Sequence, residues 1–392
     1  MWLPIWTLPN IDLDAPVESE FFVLAPFSDA RVQAMLRGHQ EFRKFMGRFT
    51  DTFKTRIHPT VILRRDPVSR RLMTSEAAAS FRDILVASMV PGARSRNLVH
   101  DNARNQVAYS SYFWIFPWMI DRNYKFIMAQ TPAIRAVHEA GAFKGQSSPD
   151  LSPVLIRRCD FDEPLLGELL QRFRDRYVTR SLGWRDTALF RSLNVANQAS
   201  LLPGGVDATI HDFGRIIALW VSAFEILVHP GLSGRADLEK VFDLLGSVPW
   251  INRRLAAQRY VTGIPKARKR RNLACWVYER MFRCRNNFLH GNPVNHSDLK
   301  LPISHRRMDL FAPTLYRLGL TSFLDLSWKV PWPEGADINA EVEYHGKKGD
   351  FEAPQRDTEQ ALRLSRVPLR RQRQEREALI NQSRRRMRAA PQ

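Results

Sequence analysis

Apolar residues recur at steps of three and four along the second half of the chain, and this spacing predicts long helices. In the clearest case, Asp207–Val228, one stripe holds Ile210, Phe213, Ile217, Trp220, Phe224 and Leu227. The other predicted helices are Arg185–Leu201, Ala236–Leu245, Ile251–Tyr260, Arg271–Leu289 and His305–Leu326. Because strand signals are almost absent from 185–326, we expect that region to be an all-helical bundle.

The first 180 residues mix short β-like runs with amphipathic helices, which predicts an α+β domain. Predicted strands are Phe21–Leu24, Pro59–Leu63 and Tyr112–Met119, and predicted helices are Ala30–Phe53, Ser75–Met89 and Asp162–Tyr177. The aromatic residues Tyr112–Trp118 could stack on bases, but a strand in a hydrophobic core explains them better. We expect domain 1–180 to sense or position a ligand that the sequence does not identify.

The net positive charge of the chain indicates which class of binding partner to expect. Lys and Arg number 59 against 40 Asp and Glu, a net charge of +19. This excess attracts polyanions, so nucleic acid or an acidic membrane surface is the leading class of partner, although a basic surface could also serve only to keep the protein in solution.

The ends of the chain and its cysteines bear on location. The start, Met1–Asn10, lacks the charged beginning and long apolar run of a secretory signal, and the longest apolar stretch, Ile216–Val228, is too short to cross a bilayer. Three cysteines form no disulfide framework. We therefore expect a cytoplasmic protein with no membrane association. No spacing of metal ligands or glycine-rich phosphate loop is present, so no metal or cofactor is predicted.

Beyond the predicted bundle, residues 327–354 are expected to form a loop or small hairpin, and 355–392 a basic tail with too few large apolar residues to fold alone. From Arg356 onward there are 11 Arg and 4 acidic residues. Such a tail could lie on nucleic acid, or it could be a solvated helix or a disordered end.

The residues Arg283–Gly291 combine a permanent cation with a titratable ring at the end of a predicted helix. Histidine exchanges protons near neutral pH, which suits His290 as a general base. Arginine presents a planar fork of donors to phosphate oxygens, which suits Arg285 for stabilising charge on a phosphodiester. Asn286 would orient the site or hydrogen-bond the substrate, because an amide does not titrate.

Together with Trp220–Leu227 on an upstream helix, the Arg-Asn…His-Gly pattern over Arg285–Gly291 resembles the HEPN family, and its form is similar to the ApeA-like HEPN group. The resemblance covers 185–326. It implies a bundle of four to five helices, a homodimer through that bundle, and metal-independent RNA cleavage that leaves a 2′,3′-cyclic phosphate. It also implies a place in toxin–antitoxin or phage-defence systems, with an antitoxin or other regulatory partner.

Other interpretations of the same residues stay open. Side chains five apart on a helix differ by about 140°, so Arg285 and His290 meet only if the helix is distorted near Phe288 or if two protomers share a site, which we favour. Glu225 is expected to contact Arg283 or Arg285, which could be a structural pair. His290 could simply cap its helix.

The alternative function is a catalytically silent module for dimerisation and RNA binding. A regulator of duplex DNA is a third class, for which no recognition-helix motif is visible.

A cluster of basic residues precedes the motif helix: Lys266, Arg268, Lys269, Arg270 and Arg271. It could draw a phosphate backbone toward the motif, or it could be an exposed helix entrance with solvated charges.

Overall fold

The computed structural model describes most of the chain, in segments 1–51, 53–100, 109–114, 118–130, 135–143, 153–179, 183–202, 208–231, 234–263, 268–335 and 337–368. The chain divides into two compact units. The first comprises Met1–Ala93 and Val107–Leu201, and the second comprises Arg94–Gln106 and Leu202–Gln392.

The first unit contains an antiparallel sheet and flanking helices. Its strands are β1 (Trp2–Leu8), β2 (Ile11–Leu13), β3 (Val17–Glu18), β4 (Phe22–Ala25), β5 (Thr60–Arg65), β6 (Trp118–Ile120), β7 (Phe126–Gln130), β8 (Arg135–Glu139) and β9 (Val154–Ile156). Its helices are α1 (Ala30–Gly38), α2 (Gln40–Met46), α3 (Ser75–His100), α4 (Glu163–Arg174) and α5 (Trp184–Leu201). Helix α3 belongs to this unit up to Ala93.

Seven strands form the main sheet in the order β3-β4-β5-β1-β6-β7-β8, with antiparallel neighbours throughout. Strands β2 and β9 form a separate parallel pair. Alternate side chains of β4, β5 and β6 join α1 and α2 in one buried cluster. On the opposite face, Phe22 lies 5.5 Å from Phe81 of α3 and 5.7 Å from Phe173 of α4, measured between ring centroids. Helices therefore cover both faces of β4, which explains why its four residues are all buried.

A buried ion pair lies among aromatic rings in this unit. Arg82 of α3 donates to the Asp83 carboxylate at 2.8 Å, and its guanidinium lies 4.0 Å from the Trp114 ring centroid. Asp83 also accepts hydrogen bonds from Asn194 at 2.9 Å and Asn197 at 2.7 Å, both on α5. These bonds satisfy a charge that burial would otherwise penalise, and they join α3 to α5.

The second unit is mainly helical. Its elements are α6 (Ile210–Leu227), α7 (Leu238–Gly246), α8 (Arg253–Ala257), β10 (Tyr260–Thr262), β11 (Lys269–Arg271), α9 (Leu273–Leu289), α10 (Ala312–Phe323) and α11 (Ile338–Arg363). Phe224 of α6 is central to the core, with ring centroids 5.1 Å from Tyr278 of α9 and 5.5 Å from Tyr316 of α10. Strands β10 and β11 pair as an antiparallel ribbon just before α9.

Several predicted elements have different bounds or a different form. The predicted helix Ala30–Phe53 is interrupted at His39, whose backbone is extended, and Phe53 is exposed instead of buried. The predicted strand over Tyr112–Met119 begins as a short 3-10 turn, Ser110–Phe113, and its residues 115–117 lie outside the described segments. Local apolar spacing did not reveal the break at His39 because α1 and α2 pack on the same sheet face.

The predicted domain bounds also need correction. Helix α5, expected to open the bundle at residue 185, belongs to the first unit. The predicted loop or small hairpin over 327–354 is helical from Ile338 onward, where α11 begins with the Asp337 carboxylate accepting from the Ala340 amide at 2.9 Å. The start of the predicted tail is helical as well, because packing buries Glu359 and Leu362. Residues 369–392, most of that tail, lie outside the described segments.

Among the helices of the described segments, none combines the length and apolarity needed to cross a bilayer.

Replacing Asp83 with alanine should lower the free energy of unfolding by about 3 kcal/mol, because it leaves the Arg82 guanidinium buried without its carboxylate. Urea unfolding followed by circular dichroism measures this loss. Glu41→Ala is the control, since Glu41 pairs with Lys44 on the exposed surface at 2.8 Å. If Asp83→Ala loses no more stability than the control, the buried Arg82–Asp83 ion pair does not stabilise the fold as expected.

Candidate active site

Helices α6 and α9 run antiparallel and approach each other closely at Gly214. A Cβ added to Gly214 would lie 2.4 Å from the Phe288 ring, and farther along the same pair Phe224 meets Tyr278. The absence of a side chain at Gly214 therefore lets Phe288 pack against the α6 backbone. This contact fixes the last turn of α9, which carries the predicted site residues.

Helix α9 has a defined start and end. The Asn272 side chain accepts from the Cys275 amide at 3.0 Å, a typical N-cap. At the other end His290 leaves helical geometry while its backbone N–H still donates to the Asn286 carbonyl at 3.0 Å. Gly291 follows with φ +72°, a left-handed conformation that favours glycine after a helix. The sequence Asn272…His290-Gly291 thus sets the length of α9.

Arg285 faces α6. Its guanidinium forms an ion pair with the Glu225 carboxylate and donates to the Asn286 side-chain oxygen at 3.0 Å. The side chains of Arg285 and Glu225 are only 16% and 24% exposed. The prediction that Glu225 contacts Arg283 or Arg285 is therefore resolved in favour of Arg285, since Arg283 pairs with Glu279 at 2.7 Å.

Tyr278 lies beneath this ion pair and is fully buried. Burial raises the pKa of Tyr278, and the negative charge of Glu225 adds to the rise. Burial also raises the pKa of Glu225, an effect that Arg285 opposes without overcoming. Neither the Tyr278 hydroxyl nor Arg285 Nε has a hydrogen-bond partner among the described residues. The interior around the pair therefore contains two polar groups that no described residue satisfies.

His290 occupies a different environment. The residue is exposed, and within the described segments its side chain forms no hydrogen bond or ion pair. His290 caps the helix through its backbone N–H alone, so its imidazole is not used in the cap and remains available for chemistry. The structure thus gathers Arg285, Asn286 and Glu225 into one contact group and leaves His290 outside that group. This arrangement agrees with the angular separation expected for positions five apart on a helix.

The basic cluster before α9 has a mixed environment. Arg268 and the β11 residues Lys269 and Arg270 are exposed, whereas Arg271 pairs with Glu239 and lies 4.3 Å from the Phe242 ring centroid. Lys269–Arg271 form strand β11, which ends just before the N-cap of α9, so Lys269 and Arg270 are exposed charges at the entrance of that helix. Lys266 lies outside the described segments.

Other reactive side chains near α9 are buried. Burial raises the pKa of Cys275 to about 12 and that of Cys284 to about 11, which keeps both thiols protonated at neutral pH. In the parts of the chain that the structure describes, no group of three His, Cys, Asp or Glu side chains is arranged to hold a metal ion.

Comparisons with known proteins add no further assignment: no family model, no curated protein and no solved structure matches the chain.

Sequence reasoning missed Gly214, Phe288 and Tyr278 as determinants of the site. A signal existed for Gly214, because a glycine within an apolar helical stripe often marks a close packing contact. No comparable signal existed for Tyr278, whose ring packs against Phe224 of α6 and Phe242 of α7.

We expect Gly214→Ala to destabilise the second unit by about 1–3 kcal/mol, because the new methyl group overlaps the Phe288 ring. Gly246→Ala is the matched control, since a Cβ there meets no atom within 4 Å. Thermal unfolding compares the two, and adding Phe288→Leu to Gly214→Ala should recover part of the loss. Equal stability of the two single variants would refute the close contact.

Glu225→Gln should reveal the raised pKa of Glu225 as a pH dependence. An acid with a raised folded pKa binds more protons in the folded state, so the stability of wild type relative to Glu225→Gln should fall as pH rises from about 4 to about 7. Melting temperatures across that range provide the measurement. Glu343→Gln should change in the opposite direction, because the Lys347 hydrogen bond lowers the pKa of Glu343. A pH-independent difference for Glu225→Gln would contradict the prediction.

Proposed function

We propose that this protein is a metal-independent endoribonuclease of the HEPN type. The observation that supports it most directly is the last turn of α9, where Arg285 is held by Glu225 and Asn286 while the exposed His290 stands beside Gly291. The excess of positive charge favours an RNA substrate.

The proposed reaction is attack of a ribose 2′-hydroxyl on the adjacent phosphorus. His290 accepts the 2′-hydroxyl proton as the 2′-oxygen bonds to phosphorus, and the bond from phosphorus to the 5′-oxygen breaks. The leaving 5′-oxygen takes a proton from solvent water and becomes a 5′-hydroxyl, His290 returns its proton to the solvent, and the other product ends in a 2′,3′-cyclic phosphate. Arg285 stabilises the charge on the phosphate oxygens, and Glu225 and Asn286 act as positioning residues for its guanidinium.

A site shared by two copies of the chain fits the separation of these side chains. In one protomer Arg285 faces α6 whereas His290 faces solvent, so a single copy does not bring both to one phosphate. A two-fold pairing at the ends of two α9 helices would place His290 of one copy against Arg285 of the other. We propose a homodimer through this helical region, acting in the cytoplasm in toxin–antitoxin or phage-defence RNA cleavage, under control of an antitoxin or another regulator.

A second function is favoured by the hydrogen bonds of Arg285. Because its two terminal nitrogens already donate to Glu225 and Asn286, the guanidinium could serve only to hold α6 and α9 together. The protein would then be a silent module for RNA binding and dimerisation.

The test is incubation of purified protein with end-labelled RNA in EDTA. We expect His290→Ala and Arg285→Ala each to reduce cleavage at least about a hundredfold, in line with the loss of a general base or of a phosphate contact. His296→Ala is the control, because His296 is exposed in the loop that follows α9. Mass spectrometry of the products should show the cyclic phosphate.

Mixing the two inactive variants tests the shared site. A mixed dimer of His290→Ala and Arg285→Ala protomers retains one site with both side chains, so activity should return on mixing. If wild type binds RNA without cutting it, the silent module is the better description.

A further inference from the structure

The end of α3 lies in the second unit and brings a cationic side chain to the bundle. Residues Arg94–His100 are the last part of this helix. Within them, Ser95 shares a hydrogen bond with Thr314 of α10 at 3.0 Å, and the Leu98 carbonyl accepts from Arg306 at 3.5 Å. These contacts fix Arg94 close to the 3-10 turn Met308–Leu310 that precedes α10.

Two guanidinium groups share one carboxylate at this place. Arg307 pairs with Asp309 at 3.2 Å, and its guanidinium lies 3.8 Å from the Phe213 ring centroid. Arg94 interacts electrostatically with both, attracted by Asp309 and repelled by Arg307. Among the described residues Arg94 has no hydrogen bond or ion pair, although burial already lowers its pKa. One positive charge in the group is therefore not neutralised.

An unsatisfied donor lies on the same helical face. Asn97 follows Arg94 by three residues, the spacing that places side chains next to each other on a helix. Its side-chain nitrogen is buried and has no hydrogen-bond partner among the described residues. Asp309 Oδ1 is also buried without a partner, and burial raises the pKa of Asp309. A half-buried donor beside a net positive charge is costly to leave without a partner, and an anion or water would satisfy the Asn97 nitrogen. The Asp309 oxygen is an acceptor, so only a donor such as water would satisfy it.

The cluster adjoins the contact that positions the candidate active site. Phe213, on which Arg307 lies, directly precedes Gly214, and Gly214 packs against Phe288. Phe288 in turn stands two residues before His290. The cationic group of Arg94 and Arg307 thus lies in the same part of the bundle as His290, where a polyanion could contact both.

We propose that Arg94, Asn97 and Arg307 bind a phosphate group of the RNA strand, away from the phosphodiester that is cut. Arg94 and Arg307 supply the charge, Asn97 supplies a neutral donor, and Asp309 orients Arg307 and keeps the group from excessive repulsion when empty. The identification of the strand as RNA rests on the proposed function, whereas the recognition of phosphate rests on the cluster itself.

A structural role for the cluster makes the opposite prediction for Arg94. If the guanidinium served to stabilise the fold, its removal would lower the melting temperature. Because Arg94 forms no hydrogen bond or ion pair among the described residues and burial disfavours its charge, we expect Arg94→Gln to leave the melting temperature unchanged or to raise it while weakening RNA binding.

The experiment measures fluorescence anisotropy of a labelled single-stranded RNA in a His290→Ala background, so that binding is read without cleavage. We expect Arg94→Gln to raise Kd about tenfold, the loss of one charged contact, and to reduce the slope of log Kd against log salt by about 1. Arg94→Lys should keep the slope, because it retains the charge. Arg253→Gln is the matched control, since Arg253 is exposed and the charge change is the same.

Unchanged binding by Arg94→Gln, or an equal change in Arg253→Gln, would overturn the proposal. Inorganic phosphate at constant ionic strength separates two sources of the anion. Phosphate should compete with RNA for the protein that has Arg94 and should compete less for Arg94→Gln. If these two proteins bind RNA equally but respond differently to phosphate, the ligand is free phosphate and the RNA assignment is wrong. If the wild-type protein binds RNA through this cluster but does not cut it, only the proposed catalytic role is wrong.

Discussion

The close contact between α6 and α9 at Gly214 is the constraint on which the candidate site depends. Phe288 fills the space left by the missing side chain, and Phe224 with Tyr278 continues the contact deeper in the core. These two contacts set the position of α9 relative to α6. The Glu225–Arg285 pair follows from that position, because an ion pair of two half-buried side chains needs its helices already in place.

The two halves of the predicted motif experience opposite environments for a geometric reason. A turn of about 140° between positions five apart directs Arg285 toward α6 and leaves His290 at the exposed end. The Arg285 guanidinium is therefore fixed by its contacts, whereas the His290 ring is exposed to solvent. Chemistry that needs both requires a second surface bearing the missing partner, which a second copy of the chain would supply.

Sequence patterns were informative where structure is determined locally. The apolar stripe and its flanking turns placed α6 and α9 within three residues of their observed starts, and the same helix ends were predicted within one residue. Strand β1 was missed because Pro4 interrupts its apolar pattern, and α11 was missed because its glycines indicate turns. Packing of Glu359, which accepts from the Ile251 and Asn252 amides, stabilises α11 in a way that no local pattern shows.

The environment of each arginine, like the packing of α11, could not be predicted from local sequence patterns. In the sequence the cluster before α9 was the most prominent cationic feature, yet Arg271 is occupied by Glu239 and Phe242. Arg94 attracts no attention in the sequence, and only the fold brings it near Arg307, more than two hundred positions later. Net charge predicts that a polyanion binds, but the fold decides which cations lack carboxylate partners. Arg268 and Arg270 of the basic run stay exposed, whereas Arg94, which forms no ion pair among the described residues, is a cation that no basic run in the sequence indicates.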